Sequence, residues 1–90
     1  MKYWFPVLLL LSACMLEPPV QEMADARSAL KTAHELPGST PASEQYLKSA
    51  EQALEEAAEA IRQEHYERAR SKALKAKNDA QKAARIKQQD

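Results

Sequence analysis

The 90-residue sequence has one cysteine, one glycine, one tryptophan and one phenylalanine. A single cysteine excludes an internal disulfide, so no covalent staple can replace a hydrophobic core. A single glycine excludes a glycine-rich phosphate-cradling loop. Aromatics make up only 6% of the chain, and no run of about 20 apolar residues exists to span a bilayer. Histidine occurs twice, at His34 and His65, each beside one glutamate (Glu35, Glu64), and neither stands in a cluster with metal-ligand spacing. No metal site is therefore expected. An arguable Ser, His and Asp arrangement is also missing, and Glu55, Glu56 and Glu59 form an acidic helical turn with nothing to set their pKa values apart. An enzyme is not expected.

What is present is alanine, charge and helical periodicity. Apolar residues are 44% and charged residues 29% of the chain, the balance of a helical or coiled-coil protein. The large apolar residues gather at the start, where Tyr3 to Leu11 form a nine-residue apolar stretch behind Lys2. Beyond residue 13 the main ones are Met23, Leu30, Leu36, Tyr46, Leu47, Leu54, Ile61, Tyr66, Leu74 and Ile86, which predicts a thin core. Formal charge is balanced, but unevenly distributed: Cys14 to Glu64 carries ten acidic and four basic residues, and His65 to Asp90 three acidic and eight basic. Such halves either complement each other after folding back or leave the basic half for an anionic partner.

Three helices are legible after residue 19. Met23, Ala26, Leu30 and Ala33 recur at spacings of three and four, which predicts a helix over 20–35. Leu36-Pro37-Gly38-Ser39-Thr40-Pro41 ends it, and Thr40 followed by Pro41 suits an N-cap and first helical position. A second helix is expected over 41–63 through Leu47, Ala50, Leu54, Ala57 and Ile61, and a third over 66–88 through Tyr66, Ala69, Ala73, Ala76, Ala80 and Ala83. No glycine or proline marks Glu64-His65, so one continuous helix over 41–88 stands as an alternative. A turn is preferred because folding back covers Tyr66 and the alanine row. The expected fold is all-α: a small alanine-rich three-helix bundle, a helix plus a helical hairpin, occupying 20–88.

Residues 1–13 follow the plan of a secretory signal peptide: a positive start, a short apolar stretch, then small residues. Leu11-Ser12-Ala13-Cys14 resembles the bacterial lipobox, with bulky Leu11 where an ordinary cleavage site wants a small residue. That resemblance implies cleavage before Cys14, a thioether-linked diacylglyceryl group on its sulfur and an acyl group on its new amino terminus. Ordinary cleavage after Cys14, with Ser12 and Cys14 as the small pair, is the alternative. Met15 rather than Asp after the cysteine resembles the pattern of lipoproteins sorted to the outer membrane, facing the periplasm. Residues 14–19 then form a short tether stiffened by Pro18 and Pro19, reaching some 20 Å at about 3.1 to 3.6 Å per residue.

Residues 20–85 resemble a family of short proteobacterial lipoproteins with an uncharacterised all-helical mature domain, followed in longer members by an OmpA-like domain. The segments that carry the resemblance are Pro41-x-x-Glu44, Leu47-Lys48-Ser49-Ala50, Tyr66-Glu67-Arg68-Ala69-Arg70 and Asp79-Ala80-Gln81. With the last residue at Asp90, no OmpA-like domain is expected. The resemblance bears on fold and not on activity; the alanine and leucine seams with few large core residues point instead to a non-enzymatic structural or interaction module at a membrane, working as a homo-oligomer or with an envelope protein. No cofactor beyond the lipid on Cys14 and no small-molecule substrate are expected, and no nucleic acid, which an exported, lipidated protein would not normally meet. The second expectation is an anionic ligand, such as lipid, lipopolysaccharide or glycan. Arg68, Lys72, Lys75 and Lys82 fall at spacings of four, three and seven, which puts them on one stripe of the third helix.

Overall fold

The computed structural model describes residues 17–89, which form three α-helices in chain order. They are α1 (Val20–Glu35), α2 (Pro41–Arg62) and α3 (Tyr66–Gln88). The expected all-α fold of a helix plus a helical hairpin is what forms, and the bounds agree with the sequence pattern to within one residue. The signal peptide and the lipobox residues Leu11, Ser12, Ala13 and Cys14 lie outside the described residues.

Each helix starts and stops for a local reason. The chain enters α1 through Pro19, which is buried and offers no side-chain cap; its carbonyl accepts from the Met23 N–H at 3.0 Å. α2 has a reciprocal cap: Thr40 Oγ1 accepts from the Ser43 N–H at 3.1 Å, and Ser43 Oγ accepts from the Thr40 N–H at 2.9 Å. Serine here replaces the usual glutamate of a capping box, and Ser43 is fully buried yet satisfied.

The end of α2 overturns the continuous-helix alternative over 41–88. His65 N–H reaches back to the Ala60 carbonyl at 2.8 Å and Glu64 N–H to that of Ile61 at 2.9 Å. This pair of bonds is a Schellman motif, whose residue after the cap must be left-handed. Glu64 occupies that position with φ of 62°. Glycine is the usual occupant; with none here to mark the stop, the preferred turn between 63 and 66 rests on the need to cover the alanine row, and that turn is what forms.

α1 runs parallel to α3 and antiparallel to α2, as three levels of the core record. Met23 meets Ala57 and Ala73, Ala26 meets Ala53 and Ala76, and Ala33 meets Leu47 and Ala83. Of the large apolar residues past position 19, only Met23 and Leu47 are fully buried; alanines supply the rest of the core. The five seam alanines of α3 are all buried, whereas Tyr66 is only half-buried. On α2, Ala53 and Ala60 turn inward in addition to the expected Ala50 and Ala57, and Leu54 and Ile61 are displaced to the edge. The reason is steric: alanine faces let helix axes approach closely, and a close approach has room for Cβ but not for a branched side chain.

Candidate functional site

The neighbours of the end at which the chain enters α1 follow from the core levels. Met23 sits beside Ala57 and Ala73, so the Gln63 to His65 turn shares that end with Val20. Charged residues there include Glu17, Glu22, Glu59, Glu64 and Glu67, with Arg62, Arg68 and Arg70 among them. At the opposite end stand Lys31, Lys48, Lys82, Arg85 and Lys87. No helix of the described residues is long and apolar enough to cross a membrane.

The basic stripe of α3 does lie on one face, and that face is turned against the flank of α2. Lys72 Nζ pairs with Glu56 Oε1 at 2.9 Å, and its hydrogen bond and charge hold the Glu56 carboxyl below its usual range. Lys75 Nζ donates to Asp79 Oδ2 at 2.8 Å and to Ser49 Oγ at 3.0 Å. Lys82 Nζ lies 5.1 Å from the centre of the Tyr46 ring, a cation–π contact. Arg68 is exposed and makes no ion pair among the described residues; it lines an open groove of about 450 Å³ with Glu56, Glu59, Ala60, Gln63 and Lys72. Three of the four stripe residues thus have partners within the chain. Arg70 adds a pair to α1, its Nε standing 3.2 Å from Glu22 Oε2. Lys72 to Glu56 and Arg70 to Glu22 join the basic half of the sequence to the acidic half, which is the folded-back complementarity that the charge distribution allowed.

Among the described residues, Ser49, Lys75 and Asp79 form an arrangement that resembles nucleophile chemistry. Ser49 Oγ donates to Asp79 Oδ2 at 2.6 Å while it accepts from Lys75. Partial burial pushes the Asp79 carboxyl up, but the hydrogen bonds from Lys75 and Ser49 and the charges of Lys75 and Lys82 outweigh it, and the net direction is down. The hydrogen bonds of Ser49 join α2 to α3. Sequence reading could find only the Lys75 to Asp79 half of the arrangement, at helical spacing of four; Ser49 comes from another helix, 30 positions earlier.

The remaining sequence candidates are dispersed. Glu59 is held below its usual range by its hydrogen bond with Arg62 and by that residue's charge, and both side chains are more than half exposed. His34 Nε2 lies 2.9 Å from Glu51 Oε2 near the far end of α1, whereas His65 is in the turn at the other end. Among the described residues no group of three or more His, Cys, Asp or Glu side chains is placed to hold a metal ion.

One feature escaped the sequence reading altogether. α3 packs along both other helices, while α1 and α2 touch each other least and leave a groove of about 310 Å³ lined by Arg27, Leu30, Glu51, Leu54, Glu55 and Ala58. Leu30, Leu54 and Ala58 are only partly buried on its floor. No family model, curated protein or solved structure matches the chain.

Proposed function

We propose that this chain is a bacterial envelope lipoprotein, anchored through lipid on Cys14, whose helical bundle acts as a non-enzymatic interaction module. One observation carries this reading: Leu11-Ser12-Ala13-Cys14 closes a short apolar run and stands six positions before Val20, where α1 begins. The chemistry of that tetrapeptide requires cysteine, since a thioether to diacylglycerol needs its sulfur. Two or three acyl chains, each methylene contributing about 0.8 kcal/mol, hold a protein on a bilayer without a spanning helix. Outer-membrane placement rests on Met15 alone.

The interaction-module half of the reading draws support from the surface. The grooves of the described residues are open, and several ionisable side chains along them are engaged with neighbours, as Lys72 is with Glu56 and Glu51 with His34. An open groove with an apolar floor suits a helix better than it suits a reaction, which needs water excluded. The alternative, an anionic ligand held by Arg68, Lys72, Lys75 and Lys82, draws less support. Three of these cations already have partners, and glutamates crowd the end that an anchor on Cys14 would hold toward the headgroups.

Mass spectrometry of the N-terminal peptide from the full chain expressed in a bacterium tests the anchor. The expected peptide starts at Cys14 and carries diacylglyceryl and N-acyl masses, and Cys14→Ser loses labelled palmitate and leaves the membrane fraction. An unmodified thiol, or a chain starting at Met15, overturns the reading.

A further inference from the structure

The geometry points to a second copy of this chain as the occupant of the α1/α2 groove, docked about a two-fold axis parallel to the helices. This rests on the interaction-module reading and names its partner. The groove is apolar in its floor, where Leu30, Leu54 and Ala58 stay partly open to solvent, and oppositely charged on its two rims, with Arg27 on α1 and Glu51 and Glu55 on α2. Glu51 is engaged by His34 at 2.9 Å. Arg27 and Glu55 are both exposed and make no ion pair among the described residues.

Rotation about an axis along the bundle keeps every residue at its own height and exchanges the two rims. α1 of one copy then lies against α2 of the other, antiparallel to it, and the four helices make an antiparallel bundle with each α3 on the outside. Arg27 and Glu55 line one groove, and the meeting of Ala26 with Ala53 sets them about two to three residues apart along it, about 3 to 4.5 Å, which a long arginine side chain spans. The same rotation therefore brings Arg27 within reach of Glu55 of the partner subunit and Glu55 within reach of the partner's Arg27. Two ion pairs close where each chain alone closes neither, and Leu30 and Leu54 meet between them. Isologous contacts demand such self-complementarity, and rims of one sign would repel their own copy.

Charge exchange between chains tests this directly, using the full chain with either of two affinity tags, extracted from membranes in detergent. Arg27→Glu alone sets carboxylate against carboxylate at both contacts, and Glu55→Arg alone sets cation against cation. Each is expected to weaken self-association by roughly tenfold in sedimentation, with helicity unchanged because both positions are exposed. Co-expressed, the two singly substituted chains restore a cation to a carboxylate at both contacts, so each should capture the other at the level of the unsubstituted pair. A foreign partner cannot produce that rescue. An unsubstituted chain that sediments as a monomer, single substitutions without effect, or singly substituted chains that fail to capture each other would each overturn the dimer. A monomer still found in the membrane fraction removes the dimer while leaving the anchor standing, which separates the two failures.

Discussion

At the scale of single residues, the left-handed glutamate at the end of α2 decides the topology. Glu64 holds φ of 62° because two backbone bonds, to Ala60 and Ile61, close the Schellman motif around it. For a residue with a Cβ this conformation costs about 1 to 2 kcal/mol relative to its preferred backbone. Glu64→Gly removes that cost and adds back some unfolded-chain entropy. The expected net gain is about 0.5 to 1 kcal/mol, read as a higher urea midpoint with an unchanged slope. An unchanged or lower midpoint would show that the turn is not strained at this position. The sequence marked the loop at Leu36 to Pro41 through Pro37, Gly38 and Thr40, but residue identity at Glu64 carried no comparable mark. What stops α2 there is the gain from laying α3's alanine row against it, a tertiary effect that overrides local helix propensity.

At the scale of the element, the governing feature is the use of alanine where most bundles use leucine. Ala26, Ala53 and Ala76 meet at one level from all three helices, and each is at most 2% exposed. The methyl groups fill the space between closely spaced axes, so added volume has nowhere to go. Ala76→Leu is expected to destabilise the fold by roughly 1 to 3 kcal/mol, despite leucine's good helix propensity and greater apolar area. Thermal unfolding followed by circular dichroism checks this, and a raised midpoint would mean that the seam is loose. The three-four spacing was enough to place the alanines of α3 inward. It could not rank Ala53 over Leu54 on α2, because both fall near one apolar face and only the interaxial distance separates them.

At the scale of the molecule, two helix ends are tied together by one buried cation. Lys87 is 7% exposed, and its Nζ donates to the carbonyls of Ala33 at 2.8 Å and Leu36 at 3.1 Å, capping the C-terminus of α1 from α3. A positive charge is favoured there by the α1 dipole as well as by the two acceptors. The same residue's backbone carbonyl lies 3.0 Å from where a Cβ on Gly38 would stand, and Gly38 has φ of 90°, so the chain's single glycine is spent at this contact. Lys87→Met keeps the apolar stem and removes the donors. It is expected to cost roughly 1 to 2 kcal/mol and to speed amide exchange in the Leu36 to Thr40 loop ahead of the helix interiors. Uniform loss of protection, or none, would contradict a local clasp.

The sequence by itself determined the helical class, the helix bounds to within one residue, the Thr40 and Pro41 start of α2 and the inward row of α3. These follow from periodicity and capping, which act within a few residues of one another. Only the tertiary structure decided that Lys72, Lys75 and Lys82 contact Glu56, Ser49 and Tyr46. It alone also decided that Lys87 is buried and that α1 and α2 leave an apolar groove between them. Each of those outcomes joins residues tens of positions apart. Their pairing depends on how closely the alanine faces let the helices approach, a distance that no local pattern encodes.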